Sequence, residues 1–203
     1  TIVKINAWNG HDGTDKNFVQ TTSADKPTYD NTEKAACKFD GNQFFDINSD
    51  MGIAGDSDFA IAIRFKVTNI DSTRTFLGDT GNELIAIYHE RKFTVKINGT
   101  NRNFIEASNT IATDQYYILT IVRKNDALSA YVKGGAYTTE ETWGSSIASA
   151  SGDITISNLG ASADDTDNFV GFITDVIVYT TNDGGLSRAS NRTALYNAIE
   201  NNY

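Results

Sequence analysis

Cysteine occurs once in 203 residues, at Cys37, so no disulfide can close within the chain. In Ala35-Ala36-Cys37-Lys38-Phe39 it shares a strand parity with Phe39, as a small buried hydrophobe would, and no histidine stands beside it to polarise the thiol. A chain without disulfides suits a cytosolic, virion or bacterial origin. Histidine occurs only at His11 and His89, neither beside a serine, cysteine or second ligand at a useful spacing, which gives no support to a His-based metal site or triad. Lysine and arginine number 17 against 26 acids, a formal charge of −9, and basic residues gather no further than pairs such as Arg91-Lys92 and Arg123-Lys124. Such a surface repels phosphate backbones and anionic bilayers, which argues against nucleic acid as a partner. No apolar run approaches the ~20 residues of a membrane-spanning helix, so membrane insertion is not expected. A start at Thr1 rather than Met is expected of a processed product or a fragment of a longer protein.

Proline is equally scarce, with Pro27 alone, while glycine numbers 16 and Asn, Asp and Thr are abundant. That is turn chemistry for many short strands joined by polar loops. The length, with 39% hydrophobic and 21% charged residues, fits one domain over residues 1–203. Asn168–Thr180 carries apolar residues on both strand parities, Phe169, Ile173, Ile177 and Tyr179 on one and Val170, Phe172, Val176 and Val178 on the other. This predicts a central strand covered on both sides. In Asp58–Val67 the alternation is clean: Phe59, Ile61, Ile63, Phe65 and Val67 form a core face, and Ala60, Ala62, Arg64 and Lys66 a face open to water or lining a shallow cleft.

Asn98-Gly99 and Asn125-Asp126 between alternating runs predict hairpins, the first within a meander over 84–106. Residues 2–8 read as a first strand, and 35–39 and 43–47 as a hairpin over Asp40-Gly41. From Ser187 onward Leu195, Tyr196, Ile199 and Tyr203 mark one short C-terminal helix, with Ser187 or Ser190 as N-cap. The fold class is therefore all-β, an antiparallel sandwich of two sheets with a terminal helix.

Several segments occur in a telling order: Val19-Gln20-Thr21-Thr22, Lys26-Pro27-Thr28-Tyr29, Cys37-Lys38-Phe39-Asp40-Gly41, Asp58-Phe59-Ala60-Ile61, Phe169–Tyr179, and a closing helix ending Ala194–Glu200. In this the chain resembles laminin-G-like members of the concanavalin A-like lectin/glucanase superfamily, of the kind found in bacterial surface proteins and phage virion proteins. The resemblance covers nearly the whole chain. It implies a jelly-roll sandwich that binds glycans or other surfaces, often with calcium, as a module of a larger polypeptide. The fold also hosts hydrolases and lyases, so function must be sought in the site.

Glycoside hydrolysis needs two carboxyl groups facing one another across a bond. Superfamily glucanases resemble one another in carrying Glu-x-Asp-x-x-Glu or a close variant on one strand, and no strand here does. Glu140 and Glu141 are adjacent, which points them apart and suits a solvated turn. Tyr131–Tyr137 is faintly similar to a segment of jelly-roll alginate lyases, but the accompanying Arg-x-Glu-Leu-Arg and Gln-x-His segments are absent. Glycan binding asks for a flat aromatic flanked by hydrogen-bonding side chains. Trp143, Tyr137, Tyr88 and Trp8 are the aromatic candidates, with His89 and Arg91 beside Tyr88. For calcium, Asp46, Asn48 and Asp50 carry an Asp-x-Asn-x-Asp rhythm of hard oxygen ligands, though Gly52 falls one place late for an EF-hand loop.

The expectation is a non-catalytic module, extracellular or on a virion surface, that binds a glycan or cell-surface polysaccharide, with other domains of its parent polypeptide or virion proteins as further partners. The alternatives are a structural, protein-docking or oligomerisation module and, behind it, a polysaccharide-degrading lyase or hydrolase.

Overall fold

The computed structural model describes residues 3–4, 7–8, 17–33, 36–47, 51–53, 55–79, 83–89, 92–105, 110–147, 154, 156–161 and 167–201. In chain order the strands are β1 (Val3–Lys4), β2 (Ala7–Trp8), β3 (Phe18–Val19), β4 (Thr28–Asp30), β5 (Ala36–Asp40), β6 (Phe45–Ile47), β7 (Phe59–Val67) and β8 (Arg74–Gly78). There follow β9 (Leu84–Ile87), β10 (Lys92–Ile97), β11 (Thr100–Ile105), β12 (Tyr116–Lys124) and β13 (Ala127–Gly134). The last strands are β14 (Tyr137–Ile147), β15 (Asn158–Leu159) and β16 (Val170–Tyr179), before helix α1 (Ala189–Asn201). The strands form two eight-stranded sheets, ordered β1-β4-β5-β16-β7-β12-β13-β14 and β11-β10-β9-β8-β15-β6-β3-β2. This is the antiparallel jelly-roll sandwich with a short C-terminal helix that the alternation and turn chemistry call for.

The core lies between the sheets, where inward parities meet. Phe65 of one sheet packs against Phe76 of the other with rings tilted, 4.7 Å between centroids, and Phe93 meets Trp143 at 4.9 Å. Both predicted polar turns have left-handed backbone, with φ of 47° and 74° at Asn98 and Gly99 and 50° and 62° at Asn125 and Asp126. Those are the type I′ values that match strand twist, and Asn, Asp and Gly accept them at least cost.

Strand β16 is central as expected, between β5 and β7. Its apolar residues on both parities have a second cause besides double coverage. The register slips between Ile173 and Asp175, so Ile173, Val176 and Val178 all fall beside core-facing residues of β7. A bulge switches parity partway along the strand.

Four local expectations are corrected by the tertiary pairing. Residues 35–39 and 43–47 are not a hairpin: β5 pairs with β4 and β16, whereas β6 pairs with β15 and β3 in the opposite sheet. The Asp40-Gly41 turn steps across the sandwich, and Phe39 and Phe45 meet edge-to-face at 6.2 Å between the sheets. The first strand is likewise divided, β1 pairing with β4 in one sheet and β2 with β3 in the other. Helix α1 starts at Ala189, so neither predicted residue is at the cap position: Ser190 lies inside the helix, and Ser187 stands two residues before it with its N–H donated to the Asp183 carboxylate at 3.1 Å.

The fourth correction concerns the second face of β7, which is not open, since all nine residues of the strand are buried. At one end α1 lies over Ala60, with Leu186, Leu195, Tyr179 and Val122 filling the seam, and Tyr196 and Ile199 pack on Ile118. Alanine at positions 60 and 62 leaves the room a helix needs. At the other end the Arg64 guanidinium lies 4.1 Å from the Tyr116 ring centroid and the Lys66 ammonium 4.4 Å from that of Phe172, with Glu33 pairing Lys66 at 2.6 Å. Aromatic faces and one carboxylate thus shelter two cations that a sequence pattern reads as solvated.

Candidate glycan-binding face

The centre of one sheet, at β7, is therefore covered on both sides, by the core and by α1 with the cation–aromatic cap. The outward face of the other sheet is where exposed aromatic and polar groups gather. Core-facing Phe93, Val95 and Ile97 on β10 and Ile85 and Ile87 on β9 set the parity. The opposite parity points Leu84, Ala86, Lys92, Thr94, Lys96, Asn101, Asn103 and Ile105 away from the core.

The register aligns these residues in rows across three strands. Leu84, Lys96 and Asn101 form one row and Ala86, Thr94 and Asn103 the next. The third row is Tyr88, Lys92 and Ile105, Tyr88 donating its N–H to the Lys92 carbonyl at 2.7 Å. Among the described residues only three large apolar side chains are exposed, and two are in that row: Tyr88 at 50% and Ile105 at 57%. The Lys92 ammonium lies 4.3 Å from the Tyr88 ring centroid. His89, exposed and at φ 95°, turns the chain out of β9, its ring 5.5 Å from that of Tyr88. In the middle row Thr94 donates its hydroxyl to Asn103 Oδ1 at 3.0 Å, which holds the amide by its oxygen and leaves Nδ2 as its donor end. An aromatic ring, an amide and ammonium groups on one sheet surface are the ingredients that sugar recognition uses.

The other candidate residues divide. Trp143 is not a platform: it is 0% exposed, paired in register with Ala130, whose small side chain leaves space for the indole in the core. Tyr137 is 8% exposed, donating its hydroxyl to the Thr110 carbonyl at 2.8 Å, and is a packing residue as well. Trp8 is in β2, but its side chain lies outside what is described, as do Arg91, Asn48 and Asp50 entirely. Asp46 is exposed on β6, and burial of its surroundings together with the Asp25 charge raises its pKa. Among the described residues no group of three His, Cys, Asp or Glu side chains is arranged to hold a metal ion.

Glu140 is not in a solvated turn. It is a β14 residue whose carboxylate accepts two bonds of 2.6 Å from Arg192 on α1 and one of 2.7 Å from the Tyr196 hydroxyl. Lys92, Thr94, Lys96, Asn101, Asn103 and Ile105 are functional candidates that a search for aromatics and acids passes over. The Asn98-Gly99 turn carries the signal that could have found them, since it fixes which residues of β10 and β11 face each other.

Residues 39–182 match the family model described as Concanavalin A-like lectin/glucanases superfamily. The chain belongs to that superfamily. By sequence alone no curated protein matches it. Among solved structures, this superfamily member is similar to a GH54 α-L-arabinofuranosidase soaked with a cyclic sulfate inhibitor, at TM-score 0.70 and 9% identity over 94% of this chain and 50% of that one. The chain thus spans about half the length of the arabinofuranosidase chains it matches. Domain 4 of AbnA, a GH43 extracellular arabinanase from Geobacillus stearothermophilus solved in complex with arabinotriose, aligns at TM-score 0.58 and 17% identity over 89% and 82% of the two chains. The CBM40 of the Ruminococcus gnavus IT-sialidase aligns at 0.52 and 11% identity over 76% and 95%. At these identities the likeness is one of fold. Among the described residues no helix is long and apolar enough to cross a membrane.

Proposed function

We propose that the chain is a non-catalytic carbohydrate-binding module that engages glycan on the outward face of β9, β10 and β11. In this reading it belongs to a larger extracellular or virion-associated polypeptide, such as a phage fibre or capsid decoration. The observation that carries the reading is the row Tyr88–Lys92–Ile105 beside Thr94 and Asn103, on the sheet that α1 does not cover. Among the described residues the outward positions of these three strands hold no carboxylate, which favours the non-catalytic reading. The glycan-binding domains among the structural neighbours support the same assignment at the level of fold.

Binding to a glycan array, followed by titration of the best ligand, tests the reading. Tyr88→Ala is expected to weaken that ligand about tenfold or more, as loss of a central aromatic contact worth roughly 1.5–2 kcal/mol would. Because the side chain is half exposed, the melting temperature should hardly move. Affinity indifferent to both Tyr88→Ala and Asn103→Ala would remove this face from consideration.

Calcium we place at Asp46, with Asn48 and Asp50 as further ligands. Desolvation and, after it, the Asp25 charge raise the Asp46 carboxyl, and a cation there would offset both. The expected result is a higher melting temperature in calcium than in chelator for the native chain and equal values for Asp46→Asn. Equal values for the native chain would refute the assignment.

A further inference from the structure

The turn between β10 and β11 carries a reactive pair. Ile97 pairs with Thr100, so Asn98 and Gly99 alone span the hairpin, both exposed and both at positive φ. A loop this short leaves no slack, and it sets every pair from Ile97–Thr100 to Lys92–Ile105, the outward Thr94–Asn103 pair included. The Asn98 side chain stands in solvent, and among the described residues nothing hydrogen-bonds its carboxamide. Gly99 has no Cβ to crowd the approach of its nitrogen to that carboxamide. It lies outside both strands, and among the described residues its N–H meets no carbonyl that would hold the proton. The chain's other Asn-Gly pair, Asn9-Gly10, lies outside the described residues.

We propose that Asn98 is a self-modifying site, at which ageing converts the amide to isoaspartate and loosens the β10–β11 hairpin. The consequence for sugar binding rests on the glycan-binding assignment; the modification and the loss of pairing do not. The Gly99 nitrogen gives up its proton and attacks Asn98 Cγ. A new N–Cγ bond closes a cyclic imide, the Cγ–Nδ2 bond breaks, and ammonia leaves. Water then opens the imide at either carbonyl. Opening at Cγ leaves aspartate with the original backbone. Opening at the α-carbonyl leaves isoaspartate, whose main chain passes through Cβ and Cγ and is longer by one carbon. Aspartate accepts the left-handed backbone that Asn98 has at φ 47°, as Asp126 does at φ 62° in another hairpin turn. Isoaspartate does not fit, because its extra carbon falls within a loop whose length fixes the register. Slipping β11 by one residue would turn Asn103 inward and bring Phe104, 0% exposed, into water. The strain is released by unpairing of the strand ends instead, which separates Asn103 and Ile105 from the rows they complete.

The test is ageing of the whole chain at mildly alkaline pH, with the parent, Asn98→Asp and Asn98→Gly side by side. Gly-Gly also forms this turn, so Asn98→Gly removes the reacting amide and keeps the hairpin. Peptide mapping with isoaspartyl methyltransferase labelling locates the product, hydrogen exchange reads β11 pairing, and a glycan array probed with fresh and aged chain reads the face. Isoaspartate should accumulate at residue 98 of the parent, faster as pH rises, and not in Asn98→Gly. The isoaspartate form should exchange its β11 amides about tenfold faster and bind the array about tenfold more weakly, while fresh Asn98→Asp matches fresh parent. An Asn98 amide that survives in the folded chain under conditions that convert it in the urea-unfolded chain would overturn the proposal. Isoaspartate at residue 98 with unchanged β11 exchange would overturn the link to the hairpin. Equal losses on ageing Asn98→Gly would assign them to another residue and overturn it as well. Faster β11 exchange with an undiminished array signal would support the modification site and overturn the glycan-binding face. No array signal from the fresh chain would overturn that face alone, with mapping and exchange deciding the modification.

Discussion

Gly171→Ala is expected to cost about 4 kcal/mol and to lower the melting temperature by roughly 8–16 °C in a domain of this size. Gly171 is in β16 opposite Val67, at φ 147°, a conformation that L side chains rarely adopt. A Cβ built there falls 2.1 Å from the Lys66 carbonyl oxygen and 2.9 Å from the Val67 Cα. Both obstacles are backbone of the neighbouring central strand, so no side chain can swing aside to make room. Relief requires β16 and β7 to separate, in the middle of the sheet that carries half the core. Thermal and urea unfolding measure the effect. A midpoint within about 2 °C of the parent would mean that the strands do not approach as closely as described.

Arg192→Ala is expected to cost about 3 kcal/mol, mostly by what it leaves behind. The guanidinium is 5% exposed, bridges both Glu140 oxygens, donates to the Leu186 carbonyl at 2.7 Å and lies 3.5 Å from the Tyr131 ring centroid. Truncation strands the Glu140 carboxylate, 18% exposed, with only the Tyr196 hydroxyl for company. Removing one member of a buried pair costs ~3–5 kcal/mol, and partial hydration of Glu140 puts this case at the lower end. The double variant Arg192→Met/Glu140→Leu should recover much of the loss, because no orphan charge remains. Hydrogen exchange should further show α1 amides opening in Arg192→Ala while β12 and β13 stay protected. Additive losses in the double variant would refute a charge-pair latch and reduce the contact to packing.

Much of the architecture was legible because it is encoded locally. Core parity in β7, β10 and β12 follows from alternation, and the turns at Asn98-Gly99 and Asn125-Asp126 follow from residues that tolerate positive φ. The exposure of Tyr88 and His89 was legible for a similar reason, since an aromatic at the end of an alternating run, beside a turn, has nothing further along its strand to cover it. Trp143 misled because its sequence neighbours are polar while its cross-strand neighbour is Ala130. Glu140 misled because its partner is 52 residues away.

The sequence by itself determined the central strand, the alternating strands and their inward parity, the helix near the carboxyl end and the acidic balance of the chain, but not strands such as β8 and β14. Tertiary structure decided which sheet each strand joined, that α1 closes one outward face, and that Lys92, Asn103 and Tyr88 stand together on the other. The division has a physical cause: backbone conformation answers to adjacent residues, whereas coverage of a face and pairing of a buried charge answer to segments brought together only when the chain folds.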